Sequence, residues 1–308
     1  MSPSVAWDVV VIGGLNTDYL VRGPQLPGPG LSVNGDSFLA APGGKGGNAA
    51  VAAARLGART AIVGRVGGDE RGRALVAGLT AEGVDTTHVA VDARAPTGAA
   101  LIQVVTSGET QVLAALGANL RMTDQELHAA ADTIRSARVV VMQLEVPAGC
   151  VAAATKLAHD AGARIVLDPS PPASLSDDLL ARVDVLRGNA HEVEALTGVR
   201  GGSLKGARDG AMALLTRGVK AAIVEAPGGN LVVWPSGDAW LPEVPVTCVD
   251  ETGAGDAFCG ALAAALAEGQ PLTDAATLAS AAAALATTAL GAQTALPRRE
   301  ALEAWRSG

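Results

Sequence analysis

The chain has 308 residues, 49% of them hydrophobic, which is enough to bury a large core in one α/β enzyme domain. A formal charge of -8 and a pI near 5.0 exclude the basic surface needed for nucleic acid or an anionic membrane, and favour a small-molecule enzyme. Three cysteines (Cys150, Cys248, Cys259) are odd in number and lack metal-ligand spacing, so neither a disulfide framework nor a zinc site is expected.

In chain order, Trp7 to Gly13 is a short apolar run ending in glycine, the pattern of a strand buried on both faces. Similar runs recur at Thr60 to Val66, Arg138 to Leu144, Arg164 to Asp168, Asp184 to Leu186 and Ala221 to Ala226. Helical patterns lie between most of them, at 46–56, 70–82, 124–136, 148–161 and 204–217. This alternation predicts an α/β fold: a Rossmann-like, mostly parallel sheet flanked by helices, with ligands at the C-terminal strand ends. Two stretches, roughly 18–41 and 95–118, carry short β-type runs broken by Gly and Pro and supply no helix. They are expected to pair as a small lid sheet on a single domain spanning 1–308. The Ala-, Thr- and Ser-rich run Ala275 to Gly291 reads as a buried helix and falls short of a membrane span. No signal-peptide pattern opens the chain, so a cytoplasmic location is expected.

Asp250-Glu251-Thr252-Gly253-Ala254-Gly255-Asp256 leads directly into an Ala- and Leu-rich helix. Backbone N–H groups of residues 253–256 can converge at the positive end of that helix and form an anion site. A carboxylate at Asp256 would repel a merely bound phosphate. It suits a base that takes the proton of an attacking hydroxyl while the amides of Gly253, Ala254 and Gly255 stabilise the transferred group. Upstream, Pro42-Gly-Gly-Lys-Gly-Gly-Asn48 lets the backbone approach a ligand closely and offers Lys45 and Asn48 as polar contacts. It lacks Walker A spacing, so phosphate and sugar both remain open as partners of Lys45.

With these motifs go Gly13-Gly-Leu-Asn16-Thr-Asp18, Ala118-Asn119, Met142-Gln-Leu-Glu145, Asn189-Ala-His-Glu192 and Gly291-Ala-Gln293. In this order and spacing the chain resembles the ribokinase (PfkB-type carbohydrate kinase) family over essentially its whole length. The resemblance implies an ATP-dependent kinase acting on a sugar hydroxyl, D-ribose to ribose 5-phosphate being the expected reaction. It implies sugar contacts at Asn16, Asp18, Gly44, Lys45, Asn48 and Glu145, with Asp256 as base and Gly253 to Gly255 as anion hole. Asn189 and Glu192 match positions that organise Mg²⁺ and nucleotide phosphates, partly through water. Asp250, Thr252, Ala286, Ala289 and Gly291 match a monovalent-cation site, usually potassium. A homodimer joined through the lid is also implied.

Several positions depart from the family pattern. Glu251 replaces a usual Thr, and Ala295 a usual Ser near the cation. Where many members carry T-x-G-x-x-G, this chain reads Glu225-Ala-Pro-Gly228-Gly229-Asn230, which places nucleotide binding on Glu225, Gly228 and Gly229 without the Thr. Arg22 and Arg94 are the cations in and beside the lid stretches, which favours a neutral sugar. With Tyr19 and Phe38 in the lid, a nucleoside kinase is the second reading. A catalytically silent sugar-binding protein is the third.

Overall fold

A computed structural model describes residues 5–307. In chain order the elements are β1 (Trp7–Ile12), β2 (Asn16–Gly23), β3 (Ser37–Gly43), α1 (Lys45–Arg55), β4 (Thr60–Gly67), α2 (Glu70–Ala81), β5 (Asp85–Asp92), β6 (Gly98–Val105) and β7 (Thr110–Ala115). After a 3₁₀ turn at Gly117–Arg121 come α3 (Asp124–Ala129), α4 (Ala131–Arg135), β8 (Ala137–Met142), α5 (Ala148–Asp160), β9 (Arg164–Leu167), α6 (Asp177–Leu180), β10 (Val185–Gly188) and α7 (Ala190–Thr197). The chain finishes with α8 (Leu204–Thr216), β11 (Ala222–Ala226), β12 (Gly229–Trp234), β13 (Gly237–Pro242), α9 (Ala254–Ala267), α10 (Leu272–Ala286) and α11 (Arg299–Ser307).

The main sheet has nine strands in the order β13-β12-β11-β10-β9-β8-β1-β4-β5. Strands β11 to β5 along that order run parallel, and β12 and β13 add an antiparallel edge. Period-2 alternation divides β1 between two cores. Val9 and Val11 pack with α1, α9 and α10, whereas Val10 and Ile12 pack with the helices of the other face, including Ile134 and Val151. Small residues bring α1 and α9 close together: a Cβ on Gly260 would lie 2.6 Å from the Cβ of Ala52. Every residue of α9 from Asp256 to Ala267 is buried, so its N-terminus is fixed against the C-terminal strand ends.

The lid is a separate four-stranded sheet, β3-β2-β6-β7, whose first stretch runs wider than expected (16–43) and whose second runs shorter (98–115). Asn16 and Gly43 begin and end its first hairpin. Leu20, Ala100, Ile102 and Val104 pack inward with Leu39, Ala41 and Leu290.

Two helix expectations need correction, one strand was not foreseen, and the 225–230 segment takes a defined form. The helix expected over 124–136 breaks at Ala130 into α3 and α4. The helix expected to reach Gly291 ends at Ala286, where the hydroxyls of Thr287 and Thr288 donate back to the carbonyls of Ala284 and Leu285. β5 escapes sequence reading because it is a half-exposed edge strand with Thr and His in place of an apolar run. The 225–230 segment is the end of β11 and its hairpin with β12, turned by Pro227 and by Gly228 at φ 85°. Among the described residues no helix is long and apolar enough to cross a membrane.

Candidate active site

The end of β1, the start of β2 and the N-terminus of α1 meet where three backbones crowd. Gly44 caps α1 at φ 84°, and a Cβ there would lie 2.5 Å from the backbone nitrogen of Asn16, so only glycine fits. Asn16 Nδ2 donates to Glu145 Oε1 at 3.0 Å, and Asn119 Nδ2 donates to Asn16 Oδ1 at 2.8 Å. The Lys45 N–H donates to the other oxygen of Glu145 at 2.8 Å. Glu145 is therefore a buried carboxylate bracketed by donors. Burial raises its pKa, opposed by Lys45. Asp18, beside it on the inward face of β2, is 4% exposed and packs directly on Gly43. Burial, then the neighbouring carboxylates of Glu145, Asp256 and Asp250, push its pKa up to about 8.

Asp256 lies in the first turn of α9, 5% exposed. Asn48 Nδ2 donates to its Oδ2 at 2.8 Å, and Gln293 Nε2 holds the other end of the Asn48 amide at 3.0 Å. The second oxygen, Oδ1, is buried without a hydrogen-bond partner and faces Lys45 Nζ at 3.6 Å. The ammonium group also lies 3.9 Å from Asp168 Oδ2, at the end of β9. Burial opposes the lysine charge, but Asp256, Asp168 and Glu145 outweigh it and hold the pKa above the usual lysine value. Burial raises the Asp168 carboxyl despite Lys45, and its Oδ1 is buried without a partner.

Gly253 caps α9 at φ 81°, and no side chain caps the helix. A Cβ there would meet the Cβ of Ala292 at 2.6 Å. Of the amides expected to be open to an anion, that of Ala254 is taken by the Glu251 carbonyl at 3.2 Å. Among the described residues the N–H groups of Gly253, Gly255 and Asp256 remain without acceptors there, as helix geometry leaves the first amides of a helix.

Asn189 and Glu192 form a reciprocal capping box on α7. Asn189 Oδ1 accepts from the Glu192 N–H at 3.0 Å, and one Glu192 carboxylate oxygen accepts from the Asn189 N–H at 2.7 Å. Behind α9, the Asp250 carboxylate accepts from the N–H groups of Thr252 at 2.9 Å and Gly291 at 2.8 Å. It clamps together the two loops expected to hold a monovalent cation, and Thr252 Oγ1 is buried there without a partner. Ala286 and Ala289 lie at the end of α10 and in the turn after it. Glu251 is exposed and stands among the carboxylates of Glu225, Glu109 and Asp250; burial and then those charges raise its pKa.

Gly228 and Gly229 sit in the β11–β12 turn, and Glu225 precedes it. Glu225 accepts from Arg187 Nη2 at 3.1 Å. Sequence reading missed Arg187 and Asp168. Both end apolar strands and carry no local motif, so strand-end position was the signal available.

A family model described as pfkB family carbohydrate kinase matches residues 7–299. The chain is 34% identical to the ribokinase of Haemophilus influenzae, an alignment covering 96% of this chain and 97% of the relative. It is 35% identical to the ribokinase of Bacillus subtilis, covering 96% and 98%. The fold matches a ribokinase of Arabidopsis thaliana complexed with ribose and ATP at a TM-score of 0.85 and 28% identity, covering 99% of this chain and 98% of that one. With the family model matched from the first strand into the last helix, and these relatives covering nearly the whole chain, the protein belongs to the pfkB family of carbohydrate kinases.

Proposed function

We infer that the protein is an ATP-dependent sugar kinase that phosphorylates D-ribose to ribose 5-phosphate. The observation that carries the chemistry is the buried, partnerless Oδ1 of Asp256 at the N-terminus of α9, with Oδ2 fixed by Asn48. The choice of ribose and ATP rests on relatives named ribokinase and on the similar structure complexed with both. The sugar hydroxyl oxygen bonds to the γ-phosphorus as the bond to the bridging oxygen breaks and ADP leaves, while the hydroxyl proton passes to Asp256. The amides of Gly253, Gly255 and Asp256 take up charge on the transferred group. Asp18 accepts from sugar hydroxyls. Asn16, Glu145, Gly44 and Asn48 shape the floor, and Lys45 balances Asp256 and Asp168.

Magnesium suits the far side of the phosphate site. The capping box engages one oxygen of Glu192, and Asp168 Oδ1 is a buried oxygen without a partner, so Asn189, Glu192 and Asp168 would hold the hydrated ion. When bound it neutralises phosphate charge. Potassium suits the loops clamped by Asp250, where the partnerless Thr252 hydroxyl and the carbonyls of Thr252, Ala286, Ala289 and Gly291 would hold it.

The lid register argues against a nucleoside substrate. Asn16 and Asp18 lie on the inward face of β2, whereas Tyr19 is on the outward one and Phe38 pairs with outward-facing Val21. Neither aromatic can stack on a ligand within this chain. The outward face also exposes Val21, Phe38, Leu101 and Leu113, an apolar surface suited to a second lid in a homodimer. A cytoplasmic setting fits an ATP-consuming enzyme with free Cys150, Cys248 and Cys259. ADP release measured over a panel of sugars and nucleosides tests the reading: turnover of ribose above the other sugars and all nucleosides is expected, and no turnover of any sugar refutes it.

A further inference from the structure

Arg187 is a buried cation with few partners among the described residues. It ends β10, is 8% exposed, and its guanidinium lies 5.4 Å from the ring centroid of Phe258 on α9. Its Nη1 occupies the space beside Gly255, 2.7 Å from where a Cβ would stand, so Gly255 is glycine to admit the guanidinium; its φ is not positive. Guanidinium carries five N–H donors and remains charged. Yet among the described residues its one hydrogen-bond acceptor is Glu225, whose side chain is itself 54% exposed, and Nε is buried with no partner. A buried cation kept for stability needs its donors satisfied, because an unmatched charge out of water is costly. Here the unmatched donors lie against the first turn of α9, where helix geometry already leaves amides aimed at an anion.

Building on the kinase reading above, we propose that Arg187 is a catalytic residue that binds the terminal phosphates of the nucleotide at the α9 N-terminus, and that Glu225 holds its guanidinium until phosphate displaces it. The planar fork matches phosphate oxygens bidentately, which a lysine or a main-chain amide cannot do. Phe258 fixes the plane of the fork, and Gly255 leaves the approach open. Glu225 keeps the cation paired in the free enzyme. Glu225 is also the residue standing where the family's usual nucleotide-loop threonine is replaced, so the departure gains a purpose: it partners an arginine on the neighbouring strand.

The test compares wild type with Arg187→Met, Arg187→Lys and Glu225→Gln, with ribose and MgATP turnover and with ATP and AMP binding measured by calorimetry. Arg187→Met should lower kcat by about 10²- to 10³-fold, as loss of one transition-state donor does. ATP affinity should fall, while ribose and AMP affinities stay within about threefold. Arg187→Lys, which keeps the charge without the fork, should fall between the two and guards against a folding artefact in the Met variant. Glu225→Gln removes the competitor for the guanidinium, so ATP should bind more tightly than to wild type. A kcat for Arg187→Met within about threefold of wild type, or equal losses for ATP and AMP, overturns the catalytic role. Weaker ATP binding by Glu225→Gln overturns the exchange. Wild type without sugar turnover would sink the kinase reading, yet the ATP-against-AMP comparison would still decide the role of Arg187. Wild type that binds ATP no better than AMP sinks both.

Discussion

Asn16, Asn119 and Glu145 match their side-chain polar groups to partners inside the chain, although the amide of neighbouring Gln143 is buried without one; around the first turn of α9, buried atoms of Asp168, Arg187, Thr252 and Asp256 have no hydrogen-bond partner. The two regions touch, since Lys45 gives its backbone N–H to Glu145 and its ammonium group to Asp256. Each unmatched buried group costs about 1–3 kcal/mol, so four of them within one site are costly to keep unless a ligand completes them. The first region is a floor assembled by folding. The second is left incomplete by folding, as the phosphate and cation sites proposed above require. The proposed base, with one oxygen hydrogen-bonded and the other facing only the Lys45 ammonium, belongs to the second type, and replacing Asp256 with Asn gives the largest expected effect. The shape stays, the proton acceptor goes, and kcat should fall by about 10²- to 10⁴-fold with ribose affinity nearly kept. Near-normal turnover in that variant would erase the distinction between the regions.

Glu145→Ala probes the assembled region. It leaves Asn16 Nδ2 and the Lys45 N–H without their carboxylate, and at about 1–3 kcal/mol for each orphaned group the protein should lose stability measurably in urea. Ribose KM should rise as Asn16 and the start of α1 loosen. Unchanged stability would mean that the floor is not preassembled.

Asp18 is the exception on the assembled side, a buried carboxylate facing the ligand space with its pKa pushed up to about 8. Below about pH 4 both folded and unfolded chains hold its proton. Between there and about 8 the folded chain keeps a proton that the unfolded chain, titrating near 3.8, has lost. Stability should therefore fall as pH rises through that window and level off above it. Burial raises Glu145 and Asp168 in the same direction, so the informative quantity is the difference between wild type and Asp18→Asn. Wild type should lose urea resistance relative to the variant from pH 5 to 8.5, while its ribose KM improves as the carboxylate ionises. Parallel pH curves for the two proteins would place the Asp18 pKa near its ordinary value.

The main sheet was legible because its central strands are continuous apolar runs, and the lid because Gly and Pro interrupt β-type runs that lead to no helix. The start of α9 at Gly253 to Asp256 was legible because a local pattern of small residues surrounds it. Arg187 and Asp168 were not, since each sits alone at a strand end and acquires its neighbours only when β9, β10 and α9 converge. The same holds for Gly255. It read as an amide of the anion site, and the guanidinium packed beside it explains why the residue is glycine. Ala254 misled for a related reason, because the Glu251 carbonyl that takes its N–H lies in a turn with no sequence signature.

The smallest expected effect is the most discriminating for the ligand-dependent region. Thr252 Oγ1 is buried without a partner, so Thr252→Val deletes a hydroxyl that contributes no hydrogen bond in the ligand-free protein. Deleting a buried hydroxyl that has no partner relieves its desolvation cost, and urea stability without potassium should rise by about 1 kcal/mol. With potassium titrated at constant ionic strength the variants should separate. Wild type should gain activity, because an occupied site would steady the loop that Asp250 clamps between Thr252 and Gly291 and so align the amides of α9. The variant should need more potassium for the same gain, since carbonyls remain but one oxygen is lost. A stability loss above about 1 kcal/mol without potassium would mean that the hydroxyl already has a partner in the folded chain. A flat potassium response in wild type would mean that no monovalent cation completes this end of α9, and that Asp250 serves only to join the two loops.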